Sequence, residues 1–253
     1  MNQNPKTKAS ELLEKLSIII SQSESISEFE LASLRREASA SLKTDPFHGY
    51  MALAALAALT WDNTKLDENH KHAIALGDPY FSRTNYAVSL SKVLRYEDAA
   101  SQMRFVTQFA PEELGALRQS IQYSLFAGQL KKAIEIQEKL TGLTPQLNTE
   151  DLLPKMIANV LARSDINEAE FSQSLSIVFD TLREQHLGIE AKVIRVDEAA
   201  DELSVLMKFT IKASPQRAQA MHKQICARLC EELPNGGHPE TLMFWIVGNR
   251  LCV

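Results

Sequence analysis

The sequence predicts a mostly α chain: a row of helical hairpins over residues 1–164, then a small α+β domain (helix–β–β–α–β) over residues 165–253. Three observations lead there. Pro46, Pro79, Pro111 and Pro145 recur at intervals of 33, 32 and 34 residues, the punctuation of a stacked helical repeat. Between them the apolar residues fall at helical spacing. After Leu187-Gly188 the composition turns to β-branched residues, partly in strict alternation, as in strands with one buried face.

The elements follow in order. Leu12, Leu13, Leu16, Ile19 and Ile20 make one helical stripe, and Phe29, Leu31, Leu34, Ala38 and Leu42 a second. Ser25 or Ser27 is the expected cap of the second helix. Gly49–Thr60 is nearly all Ala and Leu on several faces, so neighbours should enclose it. Lys65–Leu76 closes at Gly77-Asp78-Pro79, a stop signal followed by a residue that cannot continue a helix. The third and fourth pairs answer one another: Tyr96, Ala99, Met103, Val106 and Pro111 are matched 34 residues on by Leu130, Ala133, Gln137, Leu140 and Pro145. Gly128 is the expected turn of the fourth pair. One helix up to Arg163 and a longer one over 167–185 follow, one of them closing the array.

Residues 80–145 most clearly, and 10–145 more loosely, resemble the tetratricopeptide repeat family. The runs LRYEDAASQMRFVTQFAP (94–111) and FAGQLKKAIEIQEKLTGLTP (126–145) carry the likeness. Ser120 and Ile121 depart from the family's large-then-small pattern. The resemblance implies paired antiparallel helices with small residues at their crossing, and a groove lined by the first helix of each pair. Phe81, Thr84, Asn85 and Val88 of the third pair, and Arg118, Gln119 and Gln122 of the fourth, would line it. One subclass of the family grips a C-terminal carboxylate there with Lys and Asn; Thr84 and Val88 stand where those residues would be, so that clamp is not expected. Arg118→Glu with Asn85→Ala should abolish partner capture and leave thermal melting nearly unchanged.

In the C-terminal part, 189–196 and 203–212 read as strands joined by the polar loop 197–202. Ser214-Pro215 opens a helix through Glu232, and 241–247 reads as a last strand, giving an expected antiparallel sheet. His222, Cys226 and Cys230 share one helix face at i, i+4 and i+8, and Cys252 and His238 could complete a zinc set. Without a close-spaced Cys pair in a turn, packing of the thiols as small apolar groups is the expected reading, and no metal is assigned. His70 and His72 read as an exposed helix end.

Composition bounds the function. Hydrophobic residues at 45% and charged residues at 23% match soluble globular chains, and only nine glycines disfavour Gly-rich nucleotide loops. A net charge of −5 argues against nucleic acid, which needs clustered cations. The longest apolar run, Met51 to Leu59, is about half the length that spans a bilayer. Three cysteines give no disulfide framework. The expectation is a cytoplasmic protein-interaction scaffold with no cofactor and no catalytic motif. It binds a partner protein, and its C-terminal domain dimerises it or adds a second contact. The alternative is an enzyme or small-molecule sensor whose site includes the loop Asn235-Gly-Gly-His238.

Overall fold

Of the four periodic prolines, Pro46 and Pro79 open helices, while Pro111 and Pro145 lie in the connections between helices. The computed structural model describes residues 7–22, 26–199, 202–233 and 238–249. The chain separates between Phe109 and Ala110 into two compact units. In the first lie α1 (Lys8–Gln22), α2 (Glu28–Ser41), α3 (Pro46–Leu59), α4 (Asn63–Leu76), α5 (Pro79–Lys92) and α6 (Tyr96–Phe109). Pro46 and Pro79 sit in the first turn of α3 and α5, where a missing N–H costs nothing. Asp45 and Asp78 cap these starts: their carboxylates accept from the N–H of His48 at 3.2 Å and of Tyr80 at 2.8 Å. Ser27, the second of the two expected caps, accepts from the Glu30 N–H.

Three hairpins, α1/α2, α3/α4 and α5/α6, build this unit, and α3 packs against both α1 and α5. The alanine-rich α3 is enclosed as its composition predicts: Met51, Ala52, Ala54, Leu56 and Ala58 are all buried. Small side chains let the helix axes approach, and Leu16, Leu34, Leu90, Met103 and Val106 fill the space around them. Phe29 departs from its predicted stripe and is 81% exposed. Leu31, Leu34 and Ala38 already supply the packed edge of α2, which leaves Phe29 off that face.

One backbone device recurs between successive helices. Trp61 (φ 58°), Leu94 (φ 59°), Gly128 (φ 70°) and Asp165 (φ 55°) adopt the left-handed conformation. The next residue then donates to the carbonyl five positions back: Asp62 to Ala57, Arg95 to Leu90, Gln129 to Ser124 and Ile166 to Leu161, each at 2.9 Å. This 6→1 bond satisfies an orphan carbonyl and reverses the chain. The last of these turns, at Asp165, lies beyond Pro145.

The second unit comprises α7 (Leu114–Phe126), α8 (Leu130–Leu143), α9 (Thr149–Arg163), α10 (Glu168–Glu184), β1 (Ile189–Ala199), β2 (Glu202–Ile211), α11 (Pro215–Glu232) and β3 (Leu242–Gly248). The sheet order is β1-β2-β3. Alternation in β2 is as predicted: Val205, Met207, Phe209 and Ile211 are fully buried. Phe209 meets Phe126 and Phe179 at ring-centroid distances of 6.2 and 5.6 Å, tying α7, α10 and the sheet into one core.

Two strand expectations are corrected. Residues 197–199 continue β1 and pair with Ser204, Leu203 and Glu202, so the predicted six-residue loop is shorter. β3 runs parallel to β2, because α11 carries the chain back to the same end of the sheet before β3 begins. Among the described residues, no helix is long and apolar enough to cross a membrane.

Candidate functional site

The seven residues expected to line a groove lie on α5 and α7, in different units. On α5, Phe81 is partly exposed, with its ring 6.2 Å from that of Phe47. Thr84 donates to the Tyr80 carbonyl at 2.8 Å and Asn85 to that of Phe81 at 2.9 Å, so both direct a donor to their own helix. Asn85 and Val88 border a small cleft of about 110 Å3 with Ser17, Ile20 and Ser89, and His70 at its base.

His70 overturns its reading as part of an exposed helix end: it is 1% exposed, while His72 is exposed. Its ring stacks on Tyr86 at 4.5 Å, and Nε2 lies 3.0 Å from the Ser89 hydroxyl. Burial holds its pKa down to about 3, so the ring is neutral. Tyr86 donates to Asp67, which also accepts from Arg95, at 2.7 and 2.8 Å. Together these side chains make a polar brace between the second and third hairpins.

In the second unit, Arg118, Gln119 and Gln122 line a cleft of about 370 Å3 bounded by α7, the start of α9 and β1. Arg118 is more than a groove donor. Its Nε lies 3.1 Å from Oδ2 of Asp151, and an Nη donates to the Gln146 carbonyl at 3.2 Å. Asp151, 4% exposed, closes a capping box with Asn148 at the start of α9 and accepts from the Asn148 N–H at 2.9 Å. The arginine thereby neutralises a buried carboxylate as well as facing the cleft.

The residue that the sequence reading missed is Lys192. On β1, Val193 is 58% exposed, while Lys192 takes the inner face, paired with Phe209. Its ammonium sits 4.5 Å from the Phe126 ring centroid and lines the same cleft as Arg118. The available signal was the order Lys-Val-Ile: alternation fixed by Ile194 and Val196 puts Lys192, not Val193, on the buried side.

Burial pushes the Lys192 pKa from its ordinary 10.5 down to about 8. The folded state therefore carries a penalty that is full below pH 8 and relieved as pH rises toward 10.5, where the unfolded chain also loses the proton. A shift of this size corresponds to about 3 kcal/mol. Partial exposure and the ring contact reduce the net, so Lys192→Met is expected to stabilise the second unit by about 1–2 kcal/mol at neutral pH. Thermal melting across pH checks this: the advantage should fade toward pH 10.5. A gain of equal size at both ends of that range would assign it to something other than the buried charge.

The second cleft of this unit, about 320 Å3, is lined by His222, Cys226, Cys230, Leu229, Phe244 and Trp245. Cys226 and Cys230 are exposed along it, which corrects the expectation that they pack in the core. Ile225 and Leu229 supply the buried face of α11 instead. Cys226 Sγ lies 3.7 Å from His222 Nε2, and burial together with Cys230 pushes the thiol's pKa up. His238 lies 3.8 Å from Glu170. Cys252 and Asn235–Gly237 lie outside the described residues, among which no three His, Cys, Asp or Glu side chains are grouped to hold a metal.

No protein-family model matches this chain, and no curated protein or solved structure does either.

Proposed function

We propose that this chain is a protein-interaction scaffold: tetratricopeptide-like hairpins hold a segment of a partner protein, and the α+β domain adds a second contact or a dimer interface. The observation that carries the reading is the cleft bounded by α7, α9 and β1. There Arg118, Gln119 and Gln122, singled out from the repeat pattern, share one concavity with the inward lysine of β1. A cleft of about 370 Å3 with a few placed polar groups suits side chains of a docked segment. The recurring left-handed turns and the fully buried Ala99 and Ala133 support the family likeness. Binding of this kind needs burial and hydrogen bonding, with no cofactor.

The test is site-resolved. A photoreactive side chain at Gln122, exposed at the cleft, should cross-link one partner protein in the native cell, whereas the same group at Lys139, exposed on α8, should not. Equal labelling from both positions, or none from Gln122, would remove the cleft from the interaction.

A further inference from the structure

We propose that the outer edge of β3 pairs with β3 of a second copy of this chain, antiparallel about a two-fold axis at Trp245, so that two three-stranded sheets join into one. This builds on the dimer interface in the scaffold reading above, and it leaves the cleft at Gln122 outside the contact.

The main chain defines the edge. β3 ends the order β1-β2-β3, and among the described residues no strand pairs with its other side. The ladder to β2 fixes which residues turn that way. Val205 donates to the Thr241 carbonyl at 2.7 Å at one end, and Asn249 to the Ile211 carbonyl at 3.1 Å at the other. Along a strand, successive residues direct their N–H and C=O to opposite sides, so Met243, Trp245 and Val247 serve β2. Phe244, Ile246 and Gly248 then direct theirs outward. The Leu242 N–H is taken, donating to the His238 carbonyl at 2.8 Å. α11 packs against β3 on the face of its buried side chains, Leu242, Phe244 and Ile246, rather than along this side. A row of outward donors and acceptors templates another strand unless something blunts it. The opposite border shows such blunting: β1 carries Lys192, Arg195, Asp197 and Glu198, and α9 packs on it. β3, reading Leu-Met-Phe-Trp-Ile-Val-Gly, has no charge and no proline.

Composition and symmetry name the occupant. The cleft of about 320 Å3 lies between the His222, Cys226 and Cys230 stripe of α11 and the consecutive residues Leu242–Trp245, so it follows the edge and leaves room beside it. None of the described residues lining it is Asp, Glu, Lys or Arg. A foreign partner steered by charge finds no counter-charge there, whereas two identical uncharged edges meet without repulsion. Met and aromatic side chains, here Met243, Phe244 and Trp245, are the types that enrich interface centres. Full overlap of two copies of Leu242–Gly248 about a two-fold axis puts the centre at Trp245. Phe244 then exchanges bonds with the second copy's Ile246. Trp245, 52% exposed, stands opposite its twin at a position without hydrogen bonds, where side chains come closest. The edge of β3 with α11 above it measures about 25 Å by about 20 Å, or about 1,000 Å2 over both copies. That is the floor for a specific interface, so the dimer is reversible, with a Kd of about 1–100 μM.

The experiment is sedimentation velocity on the full chain over a concentration series, with amide exchange followed by NMR. The wild type should pass from monomer to dimer. Trp245→Lys, at an exposed side chain 5.6 Å from Lys208, should raise the Kd at least about tenfold and leave the far-UV circular dichroism unchanged. Mixing it with Trp245→Glu should restore a one-to-one dimer, because opposite charges then face across the axis. In the wild type, exchange at the Phe244 and Ile246 amides should slow as concentration rises, while Met243 and Trp245, already bonded to β2, should not respond. These wild-type amides decide the matter even where a variant misfolds. A chain that stays monomeric overturns the proposal, and the scaffold reading is then judged by its Gln122 cross-link alone. A dimer indifferent to Trp245→Lys, or a Lys–Glu mixture that does not pair, overturns it as well. Slow exchange at Phe244 and Ile246 at every concentration would mean that one copy covers its own edge. A photoreactive group at Met243 that labels a different protein in place of a second copy would give the edge to that partner. Either result removes the dimer.

Discussion

Arg118→Glu is expected to destabilise the second unit by about 3 kcal/mol, a fall of roughly 6–12 °C in its melting temperature. The sequence-level expectation for this change was loss of binding with melting nearly untouched, and the ion pair reverses it. The Asp151 side chain is 5% exposed and that of Arg118 35%. Removing the guanidinium leaves a buried carboxylate without its cation, and the glutamate adds a second negative charge beside it. The exposed side of Arg118 and the capping bonds of Asp151 keep the loss below that of a fully buried pair. Arg118→Met combined with Asp151→Asn should recover part of the loss, because an amide can stay in the capping box without a counter-charge. Calorimetry on the wild type, Arg118→Glu and the members of the Arg118→Met/Asp151→Asn cycle decides it. If Arg118→Glu melts like the wild type, the pair contributes nothing and Arg118 is a free groove residue after all. The consequence for function is practical: Arg118 variants confound binding with folding, and Gln122 and Lys192 are the cleaner probes.

Particular residues show which features the sequence could and could not reveal. Proline recurrence gave the hairpin boundaries because Pro46 and Pro79 act locally, at a helix start, with an aspartate cap beside each. The alternation in β2 was visible because every inner residue from Val205 to Ile211 is apolar. The left-handed turns were not, apart from Gly128. Trp61, Leu94 and Asp165 accept positive φ without glycine because the hairpin around them fixes the reversal, and that is tertiary information. His70 read as exposed because its partners, Tyr86 and Ser89, lie on the next hairpin. Lys192 was hidden for a related reason. A lysine beside a valine suggests the valine faces inward; the alternation with Ile194 and Val196 argues the reverse, and the pairing with Phe209 shows it. Positions that oppose a local rule in this way are where binding is best sought.

Gly128→Ala is the other large loss, expected at about 3 kcal/mol or more. Two costs combine at this position. The backbone has φ +70°, which an L side chain adopts at a cost of about 1 kcal/mol. An added Cβ would also stand 2.4 Å from Ser172 Cα and 2.6 Å from its Cβ, on α10. Backbone cannot rotate away as a flexible side chain can, so the turn between α7 and α8 must move off α10. At the same left-handed position of their own turns, Leu94 and Trp61 carry large side chains, which separates the two costs. Conformation alone is tolerated, and it is the approach of α10 that demands glycine. Gly128→Ala combined with Ser172→Gly relieves the clash with the serine side chain but not the clash with the backbone of α10, so it should recover only part of the loss. Full recovery would place the strain in the Ser172 side chain, and a melting temperature unchanged by Gly128→Ala alone would mean that α10 does not approach this turn. Because α7 carries Gln119 and Gln122 into the cleft, the same variant should weaken capture through Gln122 in proportion to the displacement of the helix.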